Sequence, residues 1–196
     1  MTKQASLTTL EYALLGLVGD SPMSGYDLHR LFATTPMAHF SSSPGAIYPA
    51  LRRLAQRGLL SAELDRTQEA RPRRVYVLTA EGEAALQALV RQQVTREEVV
   101  RYPELRLLRF AFAEKRLTPA EVTTYLEGWR TVIAAYLDEL RPYLTPPGGM
   151  LRHGRLSLEY GLTGFESELT WIARALPEFA AAAPPKTRAA TRRPKR

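Results

Sequence analysis

Apolar residues recur along this chain in two rhythms, and each predicts a different kind of element. Leu7, Leu10, Leu14 and Leu17 stand three and four residues apart, so the segment from Leu7 to about Val18 reads as an amphipathic helix. After a turn at Asp20, Ser21 and Pro22, Ser24 is placed to cap a shorter second helix whose apolar face is Leu28, Leu31 and Phe32. The linker "ATTPMAHFSSSP" leads to a third helical stretch in which Ile47, Leu51 and Leu54 form one narrow stripe, ended by Gly58. The rhythm then becomes alternation. Leu60, Ala62 and Leu64 precede the polar "RTQEARPRR", and Val75, Val77 and Leu78 follow it, which predicts two strands joined by a loop. Thr79 caps a further helix that opens with Glu81 and Glu83, both suited to the positive end of its dipole. Helix, helix, helix, strand, loop, strand is the order of a winged helix-turn-helix.

Beyond about residue 100 the pattern is helical only. Thr118, Pro119 and Glu121 combine an N-cap, a proline at the first helical position and a capping-box acid. Val122, Leu126, Trp129, Ile133, Tyr136 and Leu140 then recur every three or four residues. "TPPGG" interrupts, and Leu158, Leu162, Phe165, Leu169, Ile172 and Leu176 resume the rhythm. Two consecutive helices on this repeat predict an antiparallel pair with coiled-coil-like packing. The fold class is therefore mainly α: a winged helix-turn-helix over residues 1–90, a C-terminal antiparallel helical domain over 91–180, and a disordered tail over 181–196.

The third helix has an unusual outer side. Opposite its apolar stripe lie Gly45, Pro49, Arg52 and Gln56, flanked by Ala46, Arg53 and, more laterally, Tyr48. An unpartnered surface helix normally carries long charged or amide side chains there. Here the first half is nearly bare backbone, and the second half is basic with no acid. Small residues at a helix N-terminus let backbone amides approach a phosphate or a groove wall. Helices that read the major groove use this part of the helix for base edges. Pro49 removes a hydrogen bond to Gly45, a loss that shrinks if regular helix begins at Ala46 or later. Arg71, Arg73 and Arg74, at the tip of the strand loop and its exit, add donors suited to phosphates and narrow minor grooves, unless they are a solvated hairpin edge.

Charge sharpens this picture. The chain of 196 residues has a net charge of +7, and its last eleven residues, "KTRAATRRPKR", carry six positive charges and no negative ones. Residues 43–78 contribute seven positive and three negative charges, so the remainder is slightly acidic. A basic segment and a basic tail on an acidic body suggest a polyanionic partner, the tail reading equally as a solvated extension. The absence of cysteine excludes a disulfide scaffold, a thiol nucleophile and a Cys-ligated zinc site, and suits a reducing cytosol. No apolar run is long enough to span a membrane, and the N-terminus lacks the features of a signal peptide. His29, His39 and His153 show no metal spacing, and no phosphate loop or nucleophile motif is present. No enzyme, metal or cofactor is expected.

"GYDLHRLF", "SSSPGAIYPALRRLAQRGLL" and "RPRRVYVLTAEG" together resemble the PadR family of bacterial transcriptional regulators, over about residues 7–90. The C-terminal half resembles the helical region of the longer members mainly in layout. The resemblance implies operator binding through the third helix and wing. It implies a homodimer held mostly by the C-terminal helices, with help from the first, commonly a repressor released by a small molecule. Carried over by position, Ser43, Gly45, Tyr48 and Pro49 fall on the family's recognition-helix motif, and Arg71, Arg73 and Arg74 on the wing. Ala70 stands where many members have Gly, and the Arg-rich tail is outside the family pattern.

The reading of the residues and the resemblance together give a sequence-specific DNA-binding regulator in the cytoplasm, acting on a double-stranded operator. Its DNA-binding residues are Ser43, Gly45, Ala46, Tyr48, Pro49, Arg52, Arg53, Arg71, Arg73 and Arg74. Its dimerisation residues are the repeat positions Leu126, Trp129, Ile133, Leu158, Leu162, Phe165, Leu169 and Ile172. Trp129 and Trp171 are the candidates for a flat aromatic or cationic effector, against the alternative that such rings simply fill helix contacts. A winged-helix adaptor that binds protein rather than DNA is the rival reading, since fold does not fix function.

Overall fold

The structure is a computed structural model that describes residues 7–35, 37, 43–65 and 73–180. Arg71 and the basic tail from residue 181 lie outside the described residues. Contacts divide the chain into two compact units, Met1–Leu117 and Thr118–Arg196.

In the first unit, helix α1 (Thr9–Asp20) starts at a reciprocal capping box between Thr8 and Glu11. It is followed by strand β1 (Met23–Ser24), helix α2 (Gly25–Thr34), helix α3 (Pro44–Gln56), strands β2 (Leu60–Asp65) and β3 (Arg73–Leu78), and helices α4 (Ala80–Val90), α5 (Arg96–Arg101) and α6 (Pro103–Ala111). Ser24 caps α2 and Thr79 caps α4, both as the sequence predicts. Gly58 ends the α3 segment at φ +71°, a conformation that glycine adopts without a steric penalty. The antiparallel sheet runs β1-β3-β2, with Met23 opposite Tyr76 on one side and Leu60 opposite Leu78 on the other. One core joins Leu14, Leu15 and Val18 of α1, Leu28 and Phe32 of α2, Ile47, Leu51 and Leu54 of α3, and Leu86 and Leu89 of α4. Each fully buried leucine contributes roughly 1.5–3 kcal/mol over leaving it in water.

Several elements differ from the sequence pattern, each for a physical reason. Helix α1 buries Ala13, Leu14, Leu15 and Val18, whereas Leu7, Leu10 and Leu17 are only half-buried. It packs against α3, α4, α6 and β3 at once, so its buried surface is wider than one stripe. Strand β1 has two residues, too few to make an alternation, and exists because β3 offers it an edge. In β2 the alternation fades: Leu60 is buried but Leu64 is 61% exposed, since this edge strand runs out beyond the core. Regular helix in α3 begins at Pro44, not at Ala46 or later. Pro49 is therefore past the first turn, and the Gly45 carbonyl lacks its usual helical donor. Residues 91–117 pack with the first unit, so the contact boundary follows Leu117 rather than residue 90. Arg116 ties this segment to the residues before it, while Arg106 and Arg109 hold the segment together. Arg109 pairs with Glu98, Arg106 Nη1 donates to the Glu98 carbonyl at 3.4 Å, and Arg116 reaches Asp20 at 3.3 Å and Glu83 at 3.1 Å. All three are buried.

The second unit contains α7 (Pro119–Leu140), a 3₁₀ turn (Arg141–Leu144) and α8 (Arg152–Ala180). The capping box at Thr118 and Glu121 forms as predicted, with Pro119 at the first helical position. Trp129 meets Trp171 with ring centroids 5.5 Å apart, and Tyr136 meets Phe165 at 5.3 Å. Rising numbers on α7 thus meet falling numbers on α8: the pair is antiparallel. Gly148 and Gly149, both at positive φ, turn the chain between them.

Candidate nucleic-acid interface

Helix α3 is clamped from one side only. Ile47, Ala50, Leu51 and Leu54 are fully buried, and on the other side Gly45, Arg52 and Gln56 are exposed, with Ala46 and Pro49 half-buried. Ser43 caps the helix: its Oγ accepts from the Gly45 N–H at 3.2 Å, and its carbonyl accepts from Ala46 and Ile47. The glycines of this region differ in what keeps them small. A Cβ on Gly25 would lie 2.8 Å from the Tyr48 ring, and one on Gly82 would lie 2.0 Å from the Leu59 carbonyl oxygen. Among the described residues, a Cβ on Gly45 would meet only Ser43 Oγ, at 3.4 Å, an ordinary contact distance, so none of them requires glycine there.

Arg52 has no acidic partner among the described residues and projects from the exposed face. Arg53 is engaged differently: its Nε–H donates to Glu11 Oε1 at 2.7 Å, although its side chain remains 51% exposed. Glu11 itself is 3% exposed. Burial pushes its carboxyl up, but the Thr8 N–H and the Arg53 hydrogen bond and charge outweigh that and hold it below the usual 4.5.

The wing strand comes to the same side. Arg74 and Tyr76 share a face of β3 and, with Ser24, Gly25, Tyr26 and Tyr48, line an open cavity of about 410 Å³. Tyr26 is 65% exposed beside the α2 cap. Three phenol hydroxyls and a guanidinium around one concavity offer donors to an anion and apolar ring faces to a sugar. The sequence reading missed Tyr26 and Tyr76. The only signal for Tyr26 was a large aromatic on the polar side of a short capped helix, which packing alone does not call for. Arg73 enters β3 opposite Asp65, and its backbone is all that is described. Among the described residues, then, Ser43, Gly45, Ala46, Tyr48, Pro49, Arg52, Arg53 and Arg74 belong to α3, its cap and the adjoining strand, with Arg53 turned toward Glu11.

In the second unit, Leu126, Trp129, Ile133, Leu162 and Ile172 are buried within one chain, while Leu158, Phe165 and Leu169 are half-buried. Trp129 Nε1–H donates to Glu168 Oε2 at 3.2 Å, and the Tyr125 ring lies edge-on at 6.1 Å. Trp129 is thus packed on every side that is described, and half-buried Trp171 is the more accessible ring. The large apolar side chains left open in this unit include Leu151, Leu156 and Tyr160 of the α8 region. Among the described residues no group of His, Cys, Asp or Glu is arranged to hold a metal ion, and no helix is long and apolar enough to cross a membrane.

Residues 14–88 match the model of the transcriptional regulator PadR-like family, so the resemblance carried by the three motifs holds over that stretch. The negative transcriptional regulator PadR of Bacillus subtilis (strain 168) is 30% identical over 94 residues, which are 47% of this chain and 52% of the relative. The match thus spans about half the length of that protein. Among solved structures, the chain is similar to Bacillus subtilis PadR in complex with operator DNA, at 21% identity and a TM-score of 0.42, covering 89% of this chain and 99% of that one. It is also similar to a PadR-like transcriptional regulator from Bacillus cereus, at 23% identity and a TM-score of 0.38, with coverage of 89% and 99%.

Proposed function

We infer that this chain, whose residues 14–88 match the PadR-like family, is a sequence-specific DNA-binding transcriptional regulator: a homodimeric repressor on a pseudo-palindromic operator, responsive to a small ligand. One observation carries the reading. The outer face of α3 is kept small at Gly45, where the described residues leave room for a side chain, and basic at Arg52, where they supply no acid. A face that the described residues do not need small is small for something that docks on it. The first turn of α3 then approaches base edges in the major groove, and Arg52 reaches a base edge or a phosphate. The wing arginines Arg71, Arg73 and Arg74, with Tyr48, Tyr26 and Tyr76, contact the flanking backbone.

Repression is supported by the description of the Bacillus subtilis relative as a negative regulator. In this reading residues 1–90 bind DNA, 91–117 brace them, and α7 and α8 carry dimerisation. Leu126, Trp129, Ile133, Leu162 and Ile172 shape the helix pair from within, leaving Leu158, Phe165 and Leu169 nearer the partner. The ligand is a flat aromatic or cationic compound, with Trp171 as the accessible ring beside Trp129. A dimer places its two α3 helices in successive major grooves, about 10 base pairs apart or a multiple of that. Acting on DNA, the protein works in the cytoplasm.

A footprint of the purified protein on the DNA upstream of its own gene, at two salt concentrations, tests this. A two-fold protected site that survives the higher salt supports a sequence-specific regulator. Diffuse protection there that salt abolishes, together with no site selected from a random duplex library, hands the fold to the adaptor reading.

A further inference from the structure

Arg53 lies on the basic side of the recognition helix and looks, by position, like one more hand for DNA. Its bonding says otherwise. The Nε–H, the donor nearest the aliphatic stem, is committed to Glu11 Oε1 at 2.7 Å, and Glu11 is almost fully enclosed. The other oxygen of the same carboxylate accepts from the Thr8 N–H at 2.9 Å, while the Thr8 Oγ1 accepts from the Glu11 N–H at 3.2 Å. One buried carboxylate thus closes the first turn of α1 and holds a side chain of α3.

Around this bridge, Leu14 and Leu15 of α1 and Ile47, Leu51 and Leu54 of α3 belong to one apolar core, and such packing is close but weakly directional. It fixes the distance between helices better than the rotation of one about its axis. A side chain extends about 5 Å from a helix axis, so a turn of about 10° moves the tips of Arg52 and Tyr48 by roughly 1 Å. A hydrogen bond to a base edge does not tolerate that. An ion pair set off the axis with its acid enclosed is the kind of contact that penalises rotation, because a rotated Arg53 leaves Glu11 charged and enclosed.

Resting on the DNA-binding reading, we propose that Arg53 is a positioning residue, and that the Glu11–Arg53 bridge from α1 sets the rotation at which α3 meets DNA. Sequence discrimination then depends on Glu11, a buried acid on a helix that does not itself enter the groove.

The two possible roles of Arg53 give opposite results. The full-length protein is first used to select a site from a random duplex library, and binding to that site and to a scrambled duplex is then titrated across salt. In Glu11→Gln the shape is kept and the charge is lost, so positioning predicts about a tenfold smaller ratio of selected to scrambled affinity. A phosphate role for Arg53 predicts the reverse, tighter binding to both duplexes because the guanidinium is released. Arg53→Gln, at a half-exposed side chain, serves where Glu11→Gln does not fold. Positioning predicts a reduced ratio with an unchanged salt dependence. A phosphate contact predicts equal losses on both duplexes and a salt slope smaller by about 0.9. That second pattern, or an unchanged ratio in both variants, overturns the proposal while leaving the DNA-binding reading intact. If the wild-type protein selects no site at all, the DNA-binding reading fails, and the proposal fails with it.

Discussion

Single residues separate what the fold needs from what a partner needs, and the glycines do so most cleanly. In Gly82→Ala the new methyl collides with the Leu59 carbonyl oxygen, a backbone atom that cannot swing away. A loss of about 3 kcal/mol is expected in chemical denaturation. Gly45→Ala meets no such obstacle and should gain roughly 0.5–1 kcal/mol from the lower backbone entropy of alanine. Its affinity for the selected DNA site should nevertheless fall, because the added methyl stands on the docking face. A variant that is more stable and binds less separates the two needs in one protein. Buried acids give a pH signature. Burial raises the Glu98 carboxyl, but hydrogen bonds from Arg109 and from the Thr95 backbone, with the Arg109 charge, hold it below 4.5, as their counterparts do for Glu11. A depressed folded-state value means the stability is fully present above the unfolded value and is lost as pH falls through the folded one. Stability should therefore hold from neutrality down to about pH 4.5 and decline below it. In Glu98→Gln the deficit at neutral pH should shrink on acidification, as measured by denaturant unfolding across pH.

Elements carry the next level of argument. Helix α3 keeps a proline where a donor belongs, at a cost to itself. Pro49→Ala restores the bond to the Gly45 carbonyl and should raise the melting temperature, by as much as about 3 kcal/mol in stability. Affinity for the selected site should not follow, since Pro49 lies on the docking face. A parallel rise in both would argue that Pro49 has no part in that face. Helices α7 and α8 depend on their rings: Trp129 touches Trp171 and Tyr125 and donates to Glu168. Trp129→Ala should cost the second unit about 3–5 kcal/mol, the usual range for emptying a large buried site. Under the dimer proposed above, the variant should also sediment as a lighter species than the wild-type protein at the same concentration. The helix pair was legible from repeat spacing, yet burial follows the repeat only in part. Val122, Leu126, Trp129, Ile133, Leu162 and Ile172 are buried, whereas Tyr136, Leu140, Leu158, Phe165 and Leu169 are half-buried and off-repeat Tyr125 and Leu137 are enclosed. The buried face of α1 was not legible, because an element enclosed on several sides loses its single stripe.

Over the full chain, whose net charge is +7, positive charge is concentrated in two stretches, residues 43–78 and the last eleven. Removal of residues 186–196 should lower affinity for random duplex DNA in low salt and leave the preferred sequence unchanged, as read by titration on scrambled and selected sites. The division at Leu117 has a related consequence. Residues 91–117 are tied to the first unit by Arg116, whose guanidinium meets Asp20, Glu83 and the Gly19 carbonyl. A fragment ending at residue 90 omits that brace, so an isolated DNA-binding unit needs residues through Leu117. Nothing in local patterning announces such a boundary, because its partners stand 33 to 97 positions apart.

Helices α1 to α4, the two wing strands, the helix pair, the caps at Ser24, Thr79 and Thr118, the apolar stripe of α3 and the small basic face opposite it could be read along the chain, whereas β1, α5 and α6 could not. The legible features are local properties: periodicity, capping chemistry and backbone freedom act within a few residues. Three further facts emerged only in three dimensions. Arg53 turns to Glu11 while Arg52 does not, Tyr26 and Tyr76 join Tyr48 and Arg74 around one cavity, and Gly45 has room it does not use. Each depends on which distant side chains share a space, and that is settled when the core closes.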